Sequence, residues 1–370
     1  SALRLQAELL QPYDPAPSHA PRNGHSAMHA APADGHGGHG GHADHEVNVW
    51  NEFFAWWDEK AKDLAVKQGE GLHVVMPPHS SAALQGVVAR IKQGSMPKAR
   101  FHAWAPLHRD NLRAGAQLAF NKVVATHYDF ANADVVVSLD SDFLATDGNN
   151  LRSARQWAQT RKLPVAGKKL SRLYVVESCY STTGTAADHR FRTKAGEIPA
   201  VAFALAKALD AGAGSELATA LDAHAPAAFE KNGKKWVEAI ARDLQAAGGR
   251  CAVVAGPRQP ASVHAIAHAI NQKLGAVGKT VSYTAMPEGL ATNCVASLQE
   301  LRTAIDQGTC DTLVFLGTNP VYDAPADLKF GELLQQKKPK TTIHVGTYDD
   351  ETGRLCDWHF PLAHELESWG

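Results

Sequence analysis

The sequence predicts an α/β protein built from two copies of one unit, each carrying a parallel sheet. Three observations predict it. Leu72-His73-Val74-Val75-Met76-Pro77-Pro78 is answered by Cys251-Ala252-Val253-Val254-Ala255-Gly256-Pro257, about 179 residues on, and an amphipathic helix precedes each, with Trp57 in one and Trp236 in the other. Asp134-Val135-Val136-Val137-Ser138-Leu139-Asp140-Ser141-Asp142 is answered by Asp311-Thr312-Leu313-Val314-Phe315-Leu316-Gly317-Thr318-Asn319, and Thr183-Gly184-Thr185-Ala186-Ala187-Asp188 by Thr352-Gly353-Arg354-Leu355-Cys356-Asp357. The strand candidates are continuous apolar runs separated by helical stretches, a βαβ rhythm that suits strands buried on both faces.

Residues 1–47 form a separate zone, rich in Pro and Gly, with seven histidines: His19, His25, His29, His36, His39, His42 and His45. It is too polar to offset its ordering entropy and is expected to be extended. Structure is expected from about Asn48, where Trp50, Phe53, Phe54, Trp57, Ala61 and Leu64 fall on one helical face. Gly69 and Gly71 end that helix, and Leu72–Met76 is a buried strand. Ser80 or Ser81 can cap the next helix, which runs through Ile91. Strands follow at 99–103, 134–139 and 172–177, with helices at 111–120 and 151–160. The first lobe is drawn over 48–196, an Ala-rich helical bridge over 197–247, and the second lobe over 248–370. In that second lobe, strands are expected near 251–255, 280–283, 312–316 and 341–345, with helices near 262–274, 298–307 and 326–336.

Composition excludes several classes. The chain has 370 residues, 44% of them hydrophobic, enough for two sizeable cores. A net charge of −1 with no clustered basic face argues against a nucleic-acid partner. No apolar run is long enough to span a bilayer. The chain begins at Ser1 and stops after Glu367-Ser368-Trp369-Gly370, and it is read as a piece of a longer precursor. Its five cysteines, Cys179, Cys251, Cys294, Cys310 and Cys356, show no Cys-x-x-Cys spacing and are expected to be buried small hydrophobes, not cluster ligands.

Ligands of open α/β sheets sit beyond the carboxyl ends of the strands. The loops there contain no Gly-x-Gly-x-x-Gly and no P-loop, which counts against a nicotinamide enzyme or a nucleoside triphosphatase. Gly317-Thr318-Asn319-Pro320 is one candidate: Gly lets a ligand approach the backbone, and Asn offers donor and acceptor to a heterocycle. A plain turn is the alternative. The first copy has Asp140-Ser141-Asp142-Phe143 in that place, carboxylates that repel phosphate and are expected to cap a helix or bind a cation. Cys179 with His189 is the one nearby thiol–imidazole pair, and catalysis by it is not expected. His36, His39, His42 and His45, three apart on a Gly-rich chain, are candidate zinc, nickel or copper ligands, against the alternative of a solvated linker.

Several separated motifs resemble the B subunit of alternative complex III, a bacterial quinol:electron-acceptor oxidoreductase. They are Val135–Asp142 with Phe143-Leu144, Tyr174-Val175-Val176-Glu177-Ser178, Thr183-Gly184 through Ala187-Asp188-His189-Arg190, and His108-Arg109-Asp110-Asn111. The resemblance runs from about Tyr13 to Gly370. More distantly, Gly317-Thr318-Asn319-Pro320-Val321 and Asp357-Trp358-His359-Phe360-Pro361 with Glu367 look like molybdopterin oxidoreductases. The His-rich zone does not belong to the resemblance.

The resemblance implies two internally duplicated Rossmann-like lobes of molybdopterin-oxidoreductase-like fold, without a molybdenum cofactor. It implies iron–sulfur clusters in the remainder of the precursor, none in this chain. It implies as partners a multihaem cytochrome c and integral membrane quinol-binding subunits, on the periplasmic side of the inner membrane. Gly317, Thr318, Asn319 and Pro320 bind a cofactor only if a pterin binds at all. The chain is thus expected to be a scaffold, without cluster or haem absorption and without quinol oxidation of its own. The rivals are an active molybdopterin oxidoreductase domain and a periplasmic metal-binding module using the histidines.

Overall fold

A computed structural model describes residues 22–23, 41–162, 170–211 and 233–367. In chain order its strands are β1 (Arg22–Asn23), β2 (Leu72–Met76), β3 (Arg100–Ala103), β4 (Val124–Tyr128), β5 (Val135–Leu139), β6 (Arg172–Glu177), β7 (His189–Arg192), β8 (Cys251–Ala255), β9 (Val281–Ala285), β10 (Thr312–Leu316), β11 (Thr341–Gly346) and β12 (Trp358–Pro361). The protein is α/β, with two parallel sheets as the apolar runs predict.

The chain divides into two compact units, and they do not follow the order of the copies. One comprises residues 1–108 with 287–370, the other residues 109–286. The first holds the order β1-β12-β11-β10-β2-β3; the second holds β7-β6-β5-β8 and a separate antiparallel pair, β4-β9. The consecutive lobes expected at 48–196 and 248–370 are therefore replaced by interleaved units. The reason lies in pairing: β2 sits beside β10, and β8 beside β5, so Leu72–Met76 joins the sheet of Thr312–Leu316 and Cys251–Ala255 that of Val135–Leu139. With that exchange, β12-β11-β10-β2 and β7-β6-β5-β8 share one strand order, and the strands matched are those the sequence stations match.

The first unit's core packs Val75, Trp104, Leu313 and Phe315 against Leu298, Leu301 and Phe330. Its other sheet face is covered by the Gly41–Val66 helix, where Phe53 lies 4.4 Å from Phe360 and 5.1 Å from Trp358. That helix begins at Gly41, ahead of the Asn48 start, and Arg22–Asn23 pairs with β12, so the zone drawn as extended over 1–47 contains regular structure. The second unit buries Val136, Val137, Leu173, Val175 and Val253 between helices, with Trp157, Leu205 and Leu244 among the covering residues. Of the helical bridge, Ile198–Ala208 and Gly233–Ala247 are helices, and both belong to this unit.

Candidate functional site

In the first unit, β2 leads to β3 on one side while β10 leads to β11 and β12 on the other, so the order in which strands are added reverses between the parallel strands β2 and β10. Such a switch leaves a crevice beyond the carboxyl ends of the strands. A cavity of about 320 Å³ lies there, lined by Pro77 after β2, Trp104, Ala105 and Pro106 after β3, Gly317, Thr318 and Asn319 after β10, and residues from His344 to Asp350 at the end of β11. Three of the four residues singled out from sequence thus line it. Pro320 instead is buried at the start of a short helix, Pro320–Asp323. The Gly317 backbone has φ +64°, a left-handed conformation that glycine adopts without strain.

Two carboxylates stand in the cavity wall. Asp323 accepts from the Trp104 indole Nε1 at 2.6 Å. Burial, with Asp350 adding to it, holds its carboxyl above the usual range. Asp350 caps the Glu351–Leu355 helix by accepting from Gly353 N–H at 2.8 Å. Burial, with Glu351 and Asp349 beside it, pushes its carboxyl up to about 6. Behind Asp350 is His344, fully buried, whose Nε2 lies 3.5 Å from Asp350 Oδ1 and whose Nδ1 lies 2.9 Å from Nδ1 of His359. Sequence reasoning missed this set. A histidine inside each of two apolar strands was the available signal.

The matching place in the second unit is built on the same hydrogen bonds and filled differently. Asp140 has φ +59° where Gly317 has +64°, and each N–H donates across the sheet at 2.7 Å, to Val176 O and Val345 O. Asp142 Oδ1 accepts from Thr183 N–H and Oγ1 at 2.9 and 2.8 Å; Asn319 Oδ1 accepts from Thr352 N–H and Oγ1 at 3.2 and 2.7 Å. Asp188 accepts from Leu173 N–H, and Asp357 from Thr342 N–H, both at 2.8 Å. Beyond these shared bonds the loops diverge. Ser141 N–H donates to Ser138 Oγ at 3.1 Å, and Asp142 N–H to Asp147 Oδ2 at 2.7 Å. All three backbone N–H groups of Asp140-Ser141-Asp142 are thus engaged within the protein. Asp140 Oδ2 accepts from Gln259 at 3.0 Å and lies 3.5 Å from Arg258. A Cβ on Gly256 would lie 1.9 Å from Asp140 O, so the two loops are in backbone contact.

This second edge does not fit a pyrophosphate. An anion there would find the N–H groups of Asp140, Ser141 and Asp142 already engaged and would face three carboxylates, those of Asp140, Asp142 and Asp147. The carboxylates expected to cap or bind a cation instead hold neighbouring loops. A larger cavity, about 480 Å³, lies at the amino ends of β5, β6 and β8, where Asp134, Ser171, Arg250 and Thr280 line it. That is the wrong end of a parallel sheet for the usual ligand site.

The remaining candidates are dispersed. His36 and His39 lie outside the described residues, and His42 and His45 fall in the first turns of the Gly41–Val66 helix. No group of three or more His, Cys, Asp or Glu side chains that could hold a metal occurs among the described residues. Cys251, Cys294 and Cys310 are buried as expected; Cys356 is half-buried and Cys179 is exposed, because it sits in the loop after β6. Burial pushes the Cys251, Cys310 and Cys356 thiols up to about 12. Cys179 Sγ lies 3.9 Å from Ser178 Oγ, whereas the His189 ring stacks on Tyr174 at 4.8 Å.

No family model and no curated protein matches the chain. Among solved structures, acetylene hydratase from Pelobacter acetylenicus is similar with a TM-score of 0.54 at 13% identity, over 86% of this chain and 53% of the hydratase. The formyltransferase/hydrolase complex (FhcABCD) from Methylorubrum extorquens, in complex with methylofuran, gives 0.47 at 15% identity over 82% of each chain. The chain spans about half the length of the hydratase, and the likeness is one of fold.

Proposed function

We propose that the chain is a cofactor-free scaffold, the molybdopterin-oxidoreductase-like half of the iron–sulfur subunit of a respiratory quinol oxidoreductase of the alternative complex III kind. The fold likeness to acetylene hydratase supports the molybdopterin-oxidoreductase-like architecture. The ordered motifs from Val135–Asp142 to Asp188-His189-Arg190 support the narrower kinship. One observation carries the cofactor-free reading: the N–H groups of Asp140, Ser141 and Asp142 are engaged by Val176, Ser138 and Asp147, where one of two phosphate cradles would have to be.

On this reading the chain acts through its surfaces. Leu107, Tyr322 and Leu366 are exposed apolar side chains of the kind that mark docking faces. No helix among the described residues is long and apolar enough to cross a membrane. Attachment to the periplasmic side of the inner membrane would then come through the quinol-binding and multihaem cytochrome subunits, with iron–sulfur clusters in the remainder of the precursor.

The test is elemental and pterin analysis of the assembled complex. Iron without molybdenum, tungsten or extractable pterin is the expected result. Stoichiometric molybdenum would overturn the reading in favour of an active molybdopterin enzyme, whose support here is the open cavity beside Gly317, Thr318 and Asn319.

A further inference from the structure

The first unit's cavity is acidic, and its charge is not answered from within. Asp323 and Asp350 meet no arginine or lysine side chain among the described residues. The groups facing Asp350 are Asp323, Asp349, Glu351 and His344, three of them carboxylates. Thr318, also in the wall, is 8% exposed, and its hydroxyl has no hydrogen-bond partner. A buried hydroxyl left so costs about 1–3 kcal/mol unless a ligand or water meets it. Tyr348 supplies aromatic surface in the same wall, with Trp104 buried behind it.

We propose that this cavity binds a planar organic cation, a guanidinium or amidinium group, between Asp323 and Asp350. The geometry favours this class over others. An anion would face two uncompensated carboxylates. A metal ion lacks a third protein ligand. A delocalised planar cation is more weakly hydrated than an ammonium, pairs with carboxylates through parallel N–H bonds and stacks on aromatic faces. The volume, about 320 Å³, is at the small end of ligand sites and suits a single ring or an arginine side chain. Two sources offer that chemistry, a free small molecule and an arginine side chain of a neighbouring protein. The inference is independent of the scaffold reading, since an organic cation neither needs nor excludes the iron–sulfur remainder.

The test is calorimetric titration of the chain with benzamidine, its neutral analogue benzamide, free arginine, and arginine capped at both its amino and carboxyl groups. Benzamidine is expected to bind and benzamide not, at concentrations up to about 10 mM. Asp323→Asn and Asp350→Asn are each expected to weaken benzamidine by roughly tenfold or more, because each removes one of two charge-assisted partners. Asparagine can still accept from Trp104 Nε1 or cap Gly353 and removes a buried charge, so both variants should fold at least as stably as wild type. Glu332→Gln, on the exposed face of the Phe330–Gln336 helix, is the control expected to bind as wild type. Protons compete for Asp350, so binding at pH 5 should be roughly tenfold weaker than at pH 8. Capped arginine binding as well as free arginine points to a protein side chain; free arginine alone points to a small molecule. Equal binding of benzamidine and benzamide, wild-type affinity in both folded asparagine variants, or no benzamidine binding at all would each overturn the proposal.

Discussion

Replacing His264 with Gln should flatten the acid limb of the stability profile. His264 lies on the Ala261–Lys273 helix, 4% exposed, where a Cβ built on Gly115 of the Asp110–Phe120 helix would come within 2.3 Å of it. Burial outweighs the backbone carbonyls of Gln259 and Gly256 and pushes its imidazole down to about 4, from 6.5. The folded pKa is below the unfolded one, so the unfolded chain binds the extra proton first. The contribution is fully present above about pH 6.5 and is lost as pH falls toward 4. Between pH 7.5 and 4.5 this amounts to about 2.5 kcal/mol for one group. Urea unfolding of wild type and His264→Gln at those two pH values gives the difference directly. The variant should lose at least about 2.5 kcal/mol less than wild type on acidification, because the His268 imidazole, freed of a like-charged neighbour, also titrates higher. Equal acid losses in the two proteins would show that the imidazole is not held neutral by burial.

Three further outcomes follow from the same geometry. Arg190→Met should destabilise by about 3 kcal/mol or more, because it leaves the Glu177 carboxylate, 4% exposed, without the cation that donates to it; unfolding calorimetry reads this. Gly256→Ala should lower the urea midpoint by the equivalent of about 1–3 kcal/mol, since a Cβ there meets the Asp140 carbonyl at 1.9 Å and must push the facing loops apart. Thr183→Val and Thr352→Val should each cost about 1–2 kcal/mol, because each removes the hydroxyl that bridges the same pair of loops, and denaturant midpoints that differ widely between them would contradict the shared design.

The sheet strands were legible where they are buried on both faces. Val135–Leu139, Cys251–Ala255 and Thr312–Leu316 are unbroken apolar runs, and nothing but a parallel-sheet interior accounts for them. Val124–Tyr128 was not legible: Ala125, Thr126 and His127 give no apolar run, and its partner β9 lies far along the chain. The helix start at Gly41 was hidden by the Gly and His composition, while the residues that hold the helix down, Phe53, Trp56 and Trp57, come more than a turn later. The exchange of β2 and β8 between sheets was invisible for a different reason. Both strands are short, mostly apolar runs, and the one buried polar side chain among them, His73, meets His102 of β3 only once the sheet has formed. Gly317, Thr318 and Asn319 were singled out by their turn chemistry, and they line the first unit's cavity. Asp147 was missed because its role depends on a loop that folds back five residues to reach Asp142.

The matched loops separate what they share from where they differ. An acceptor that holds a threonine N–H and hydroxyl is needed in both, and Asp142 and Asn319 supply it alike. A left-handed residue after the strand is also needed in both. Glycine takes that conformation at 317, and Asp140 takes it at a steric cost of about 1–2 kcal/mol. That cost is tolerated where the side chain gains something, and Asp140 gains Gln259 with Arg258 nearby. The second unit thus closes this edge with a loop-to-loop contact, while the first has a bare glycine and an open cavity. If so, Asp140→Gly should relieve backbone strain yet destabilise overall, because Gln259 loses its acceptor. The reverse change, Gly317→Asp, should add strain of about 1–2 kcal/mol with no compensating partner, and would leave the strands unchanged. Circular dichroism and urea unfolding of the two variants measure both quantities, and a stabilised Asp140→Gly protein would show that the carboxylate is not what holds the second edge closed.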